Sequence, residues 1–155
     1  ARLILGENAL RIYLDHESIE NAGLKLDEVK AAAKKDFEKY DNIAYVVDYE
    51  NVATESIPQP IRERIINGYS RERGGDLLLV TNPGWIDASN DANYKGTTHG
   101  LWNPDDSHIP LIFMGWNIKS GETSKPTSMT DIAPTICSML HIQMPNACVG
   151  NSIFE

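Results

Sequence analysis

The N-terminal part of the chain alternates apolar and polar positions in the manner of paired β-strands. Leu10–Leu14 places leucine or isoleucine at every second position, with arginine and tyrosine between them. A strand with one buried face has this period of two. An apolar run at Leu3–Leu5 precedes it, and the intervening Gly6–Asn8 has the composition of a turn. We therefore predict a β-hairpin.

Helical spacing follows in the next segment. Within Asp27–Tyr40, apolar residues recur at positions 29, 33, 37 and 40, which places them on one face of a helix. Ile43–Val47 is rich in β-branched and aromatic residues, which favours a strand. Ile61–Tyr69, which follows two prolines, has the pattern of a short helix. Residues 1–73 are therefore predicted to form an α+β lobe, ferredoxin-like or similar.

The remaining part, residues 74–155, opens on an unbroken apolar run, Leu77–Val80. Such a run is typical of a strand covered on both faces in a parallel or mixed sheet. Residues 82–108 then show no periodicity, and a loop of that length in a compact protein is usually functional or disordered. Open α/β sheets carry their sites beyond the carboxyl ends of such strands. We therefore predict that this loop carries a functional site.

Two elements follow the loop. Ile109–Gly115 is a second apolar run, which predicts another buried strand. Thr130–Leu140 has helical spacing, and either its first residue or Asp131 is suited to cap it. Its apolar face includes Ile136 and Met139, which we expect to be buried against the two predicted strands.

Composition narrows the classes of function. The chain has 155 residues, of which 41% are hydrophobic and 23% charged, as in ordinary globular proteins. Its net charge of −8 argues against nucleic acid as a partner, because phosphate backbones bind through Lys and Arg. No apolar run approaches the length of a membrane span. Cys137 and Cys148 could pair with each other, or could be a buried thiol and a loop thiol.

His99 is the strongest candidate for chemistry. It lies in the long loop, and Gly96 and Gly100 nearby permit backbone conformations that bring a side chain into a site. Neutral imidazole is a good zinc ligand, although one histidine alone is not a metal site. His108 has neighbouring groups, Asp106 among them, that can orient it, which indicates a structural or supporting role.

The other two histidines have simpler explanations. His16 follows a predicted strand in a polar Asp-His-Glu sequence, which favours a solvated loop. His141 follows the last predicted helix, where the negative end of the helix dipole suits an imidazole.

Blocks of sequence in the second half resemble a known family. They are Gly96–Gly100, Asp106–Leu111, Gly115–Trp116, Thr130–Thr135 and Pro145–Gly150. In order and spacing they resemble the C-terminal end of the alkaline phosphatase superfamily. The resemblance is greatest to bacterial secreted alkaline phosphatases with a threonine nucleophile, which are related to the type I phosphodiesterases and nucleotide pyrophosphatases.

The resemblance implies an α/β fold, namely the C-terminal part of an alkaline-phosphatase-like sheet core preceded by the small α+β lobe. It aligns His99 with a late His-Gly turn that supplies one ligand of a two-zinc centre. His108 and Asp106 are predicted, from their residue types and their places in the sequence, to support such a centre. The resemblance also implies a phosphate ester substrate and a periplasmic or secreted location.

Members of the superfamily carry the nucleophile and most metal ligands in their earlier two thirds, and no corresponding segment is found here. We therefore expect this chain to be the C-terminal portion of a zinc-dependent phosphatase that hydrolyses phosphate monoesters through a phosphothreonine intermediate. The portion contains no catalytic nucleophile and is expected to be inactive alone. A phosphodiesterase or nucleotide pyrophosphatase of the same superfamily and a non-catalytic α+β binding module remain alternatives, and the oligomeric state is open.

Overall fold

The structure is a computed structural model. It describes residues 3–8, 10–86, 93, 95–96, 99–115 and 117–154, and only the backbone of residues 5–8. The chain divides into two compact units, Ala1–Pro110 and Leu111–Glu155. The domain boundary predicted after residue 73 stays a prediction.

The first unit is built on a four-stranded sheet. Its strands are β1 (Ile4–Asn8), β2 (Arg11–Leu14), β3 (Ile43–Asp48) and β4 (Leu77–Thr81). They lie in the order β1-β2-β4-β3, and every neighbouring pair is antiparallel. The predicted hairpin and the two later strands of this unit are confirmed.

Two details of the sheet differ from the prediction. Gly6–Asn8 belongs to β1 instead of forming the turn, and Leu10 adopts a positive φ of 64° at the connection. The sheet that contains β4 is antiparallel, not parallel or mixed. β4 is nevertheless apolar throughout because it lies between two strands and contributes buried residues to both core clusters.

Four α-helices and a 3₁₀ turn, Tyr49–Asn51, belong to this unit in the described part of the chain. The α-helices are α1 (His16–Asn21), α2 (Leu26–Phe37), α3 (Gln59–Gly68) and the short α4 (Pro104–Ser107). The predictions of α2 and α3 are confirmed to within a few residues. α3 begins with a proline in its first turn, where the missing N–H costs nothing.

Helix α1 corrects the expectation of a solvated loop around His16. The Asp15 carboxylate accepts a hydrogen bond from the Ser18 N–H at 3.0 Å and so caps the helix. This bond and a second one from the Ser18 hydroxyl lower the pKa of Asp15. Ile19 is buried, and the His16 Nε2 lies 2.6 Å from the Asp76 Oδ1. The imidazole therefore ties the start of α1 to the residue before β4.

Two buried apolar clusters form the core of this unit. Alternate residues of a strand face opposite sides of a sheet, and successive residues of β3 and β4 divide between the clusters accordingly. The first cluster comprises Ile12, Leu14, Ile19, Val46, Leu77 and Leu79, with residues of α2 packed against it. The second comprises Val47, Tyr49, Ile57, Ile61, Ile65 and Val80.

Truncation of the central strand tests this core. Leu77 is fully buried, so Leu77→Ala is expected to lower the free energy of unfolding by about 2–5 kcal/mol through lost apolar contact and the remaining cavity. Leu24→Ala is the matched control, because Leu24 is 45% exposed and its truncation should cost far less. Urea unfolding followed by circular dichroism measures both. Equal losses would contradict the assignment of Leu77 to the core.

The second unit contains a 3₁₀ turn, Met129–Asp131, that leads into α5 (Ile132–Leu140). Ser128 and Asp131 form a capping box at the start of the turn. The Ser128 hydroxyl accepts from the Thr130 N–H, and the Asp131 carboxylate accepts from the Ser128 N–H at 2.8 Å. The predicted helix is confirmed, but its capping begins at Ser128.

The C-terminal tail returns to this helix start. The Asp131 Oδ1 accepts from the Asn151 N–H at 2.9 Å, and the Thr135 hydroxyl accepts from the Ile153 N–H at 3.0 Å. The hydrogen bonds from Asn151 and Ser128 lower the pKa of Asp131. Asp131 is therefore a capping and tail-binding residue.

The prediction of a buried strand at Ile109–Gly115 is wrong for this structure. Ile112 is 82% exposed and Met114 is 95% exposed. Within the described residues, the backbone of Leu111–Met114 pairs with no other backbone segment. A strand forms only where a neighbouring strand supplies hydrogen-bond partners, and no described strand does so here.

Burial along α5 also differs from the prediction. Ile136 is 43% exposed and Met139 is partly buried, whereas Pro134, Thr135 and Cys137 are buried. Cys137 and Cys148 are both free, which agrees with the alternative of a buried thiol and a loop thiol. None of the described helices combines the length and apolarity needed to cross a membrane.

Candidate functional site

The long segment after β4 carries the candidate site residue. His99 lies in an irregular stretch before α4, and its side chain is exposed. Thr97 and Thr98, which belong to the block Gly96–Gly100 that resembles the superfamily, lie outside the described residues. Gly100 follows with a φ of 109°, a conformation that glycine adopts without the steric cost that a Cβ would bring.

The carboxylate of Asp106 fixes the turn that follows His99. Its Oδ2 accepts from the Gly100 N–H at 2.6 Å and from the Leu101 N–H at 2.5 Å. Two backbone donors on one carboxylate oxygen make charge-assisted hydrogen bonds that hold the backbone in one conformation. Asp106 was predicted to support the site, and in this structure its described contacts are with the backbone beside His99.

His108 lies at the other end of the short helix. Its backbone N–H donates to the Pro104 carbonyl at 2.8 Å and so ends α4, and its side chain is exposed. Within the described residues, its imidazole makes no hydrogen bond. The predicted supporting role of His108 stays a prediction.

Trp102 anchors the same segment to the sheet. Its indole N–H donates to the Thr81 carbonyl at the end of β4, at 3.0 Å, and its ring packs against the second core cluster. Next to it, Asn103 is 1% exposed. The segment that carries His99 is therefore docked on the sheet by the indole of Trp102, and Asn103 is buried beside it.

Arg64 of α3 holds this segment from a second side. Its Nη1 donates to the Trp102 carbonyl and to the Ser107 hydroxyl, the latter at 2.9 Å. The Ser107 hydroxyl in turn donates to the Asn103 carbonyl at 2.8 Å. Sequence reasoning missed Arg64 and Trp102, because their contacts join residues 38 and 21 positions apart.

A buried lysine elsewhere in this unit is structural. Lys30 is 3% exposed, and its Nζ donates to the Glu50 Oε2 at 2.6 Å and to the Asp48 Oδ1 at 3.2 Å. Burial opposes its positive charge, but the hydrogen bonds to Glu50 and Asp48 outweigh that effect and raise the pKa of Lys30. This charge is compensated within the fold and needs no ligand.

The described residues do not make a metal centre by themselves. No group of three or more His, Cys, Asp or Glu side chains that could hold a metal ion is found among them. Structural zinc sites use four protein ligands and catalytic sites usually three. His99 therefore fits a zinc site only if further ligands come from residues outside the described part of the chain.

Comparison with known proteins gives clear relatives, although no family model matches the sequence. Over 94% of this chain, the sequence is 48% identical to a protein from Myroides odoratus named calcium-transporting ATPase. It is 43% identical, over the same share, to alkaline phosphatase PafA from Elizabethkingia meningoseptica. The structure matches the crystal structure of wild-type alkaline phosphatase PafA over 98% of this chain, with a TM-score of 0.91 and 41% identity.

The chain spans only part of these relatives, namely 26% of each of the two curated proteins and 29% of the crystallised chain. Its helices and antiparallel sheet match part of an alkaline-phosphatase-like α/β fold, as the sequence predicts. Since these identities extend over nearly all of its length, the chain belongs to the alkaline phosphatase superfamily.

Proposed function

We propose that this chain is the C-terminal portion of a zinc-dependent phosphatase that hydrolyses phosphate monoesters through a phosphothreonine intermediate. The observation that carries the proposal is the match to alkaline phosphatase PafA over 98% of this chain. Because the chain spans 26% of PafA, the nucleophile and the remaining ligands would come from the rest of such an enzyme. The proposed location is periplasmic or secreted.

In this proposal His99 provides one ligand of a two-zinc centre. Its side chain is exposed, and the Asp106 carboxylate holds the adjacent backbone. Zinc bound there would supply Lewis-acid stabilisation of the phosphoryl group and of an activated nucleophile. The contribution of this chain is to hold the imidazole in position and to add His108 as a supporting group.

The surface of the second unit supports assembly with further polypeptide. Ile112 and Met114 are almost fully exposed on a segment whose sequence has the apolarity of a buried strand. An apolar segment with unpaired backbone is suited to add to the edge of another sheet. The relatives are about four times longer than this chain, so the occupant we propose is the remainder of the phosphatase.

The name of the Myroides relative does not change the reaction class. An ATPase and a phosphatase both transfer a phosphoryl group to water, so the two names share the chemistry proposed here. A phosphodiesterase and a non-catalytic binding module remain the alternatives that an experiment must separate.

A chimera tests the proposal. Residues 3–154 of this chain replace the matching segment of PafA, and the purified chimera is assayed with p-nitrophenyl phosphate and with bis-p-nitrophenyl phosphate. We expect hydrolysis with a preference for the monoester. A folded chimera that hydrolyses neither ester would overturn the proposed function.

A further inference from the structure

The segment that would present a zinc ligand needs a rigid support, because a metal centre requires each ligand within a few tenths of an ångström of its place. His99 lies on irregular backbone, outside the described helices and strands. The described contacts of residues 99–108 show how the backbone around it is held.

These contacts form a connected series of hydrogen bonds that leads to α3. The Asp106 carboxylate holds the amides after His99, and Ser107, the next residue, receives a hydrogen bond from Arg64. The same guanidinium nitrogen also donates to the Trp102 carbonyl. Arg64 thus holds Trp102, which follows the Gly100–Leu101 turn, together with Ser107, which follows Asp106. Its own helix is held by Ile61 and Ile65 in the second core cluster.

We propose that Arg64 is a positioning residue for the His99 ligand. It fixes the segment 99–107 against α3 and so sets the place of the imidazole, without contacting the metal. The inference rests on the proposed function, since it presumes that His99 binds zinc. It goes further by assigning to the α+β lobe a part in metal binding that neither the sequence pattern nor the resemblance indicates.

The first test uses the 155-residue chain without metal. Hydrogen exchange of the Gly100 and Leu101 amides, followed by NMR, should accelerate on the order of tenfold in Arg64→Met, the effect expected when one or two net hydrogen bonds are lost. Arg71→Met is the matched control, because Arg71 is an exposed arginine of the same lobe. Asp106→Ala removes the acceptor of both amides and marks the upper limit of the effect. Unchanged exchange in Arg64→Met would overturn the proposal.

The second test measures zinc in the PafA chimera. Loss of a group that orients a metal ligand typically costs about 10–100-fold in metal affinity, so Arg64→Met should raise the zinc dissociation constant by that factor. Excess zinc should then restore kcat, and the KM for p-nitrophenyl phosphate should stay near its original value. A purely structural arginine would lower the melting temperature and leave zinc affinity unchanged, which would contradict positioning.

Two variants separate this inference from the proposed function. Arg64→Lys keeps a cation that can donate to both acceptors from one nitrogen, as Arg64 does, and should recover part of the affinity. His99→Ala reports on the ligand itself. If His99→Ala leaves zinc binding intact, the ligand role that the proposed function gives to His99 fails, and the positioning role fails with it. If His99→Ala loses zinc while Arg64→Met does not, only the positioning role fails.

Discussion

His99→Ala in the PafA chimera is expected to lower both bound zinc and the rate of phosphate ester hydrolysis. Removing a ligand takes away a bond to the metal, so the loss should exceed the roughly 10–100-fold that follows removal of a ligand's hydrogen-bond partner. The side chain is exposed in this structure, so the substitution should leave folding of the chain itself unchanged. Metal analysis of dialysed protein and kcat/KM for p-nitrophenyl phosphate measure the two effects.

His108→Ala is the control for that experiment. His108 is an exposed histidine close to His99 in sequence, and within the described residues its imidazole makes no hydrogen bond. A supporting role predicts a smaller loss of zinc and activity than for His99. Full zinc occupancy with normal turnover in His99→Ala would show that His99 is not a ligand.

Charge on the exposed apolar segment is expected to block assembly with the rest of the enzyme. Ile112 and Met114 are 82% and 95% exposed, so Ile112→Lys and Met114→Lys should change the stability of the isolated chain by less than about 0.5 kcal/mol. Once the segment is covered, the same lysines would be buried without a partner, which costs several kcal/mol. Each 1.4 kcal/mol of binding free energy changes the dissociation constant tenfold, so the dissociation constant should rise by about two orders of magnitude or more.

The assay mixes this chain with PafA that lacks the matching segment and measures their association by analytical ultracentrifugation. Met129→Lys is the control, because Met129 is 69% exposed in the same unit and lies outside the apolar segment. It should bind as the unsubstituted chain does. Normal association of both Ile112→Lys and Met114→Lys would show that this segment is not the docking surface, and self-association of the chain would identify a second copy as the occupant.

Local patterns predict most of the first unit because β2, α2, β3, α3 and β4 all bury apolar residues within the unit. The alternate apolar residues of β2 belong to the first core cluster, and the apolar face of α2 packs against the same cluster. Helix α1 escapes prediction because a single buried residue, Ile19, and a side-chain cap define it. Neither feature repeats along the sequence.

At Ile109–Gly115 the opposite happens, because the apolar run predicts a strand that the structure does not contain. Hydrophobic pattern reflects the surroundings in which a segment is buried, whereas the structure contains only the contacts that this chain supplies. On our proposal the missing neighbour is the rest of the phosphatase, which explains why the sequence has the pattern of a strand and the structure has none.

The sequence predicts only part of the candidate site. His99 could be found from its residue type, its glycine neighbours and the resemblance of its block. Arg64 and Trp102 could not, because an arginine on a helix surface and a tryptophan in a loop show no spacing that marks their distant partners. Contacts of this kind depend on the folded backbone.

The most direct test of the account compares three samples in excess zinc: this chain alone, PafA without the matching segment alone, and the two together. Release of p-nitrophenol from p-nitrophenyl phosphate is followed in each. We expect activity above the buffer rate only in the mixture, and we expect it to be lost when the chain carries His99→Ala. Turnover by this chain alone, abolished by His99→Ala, would contradict the claim that it supplies one part of a shared phosphatase site.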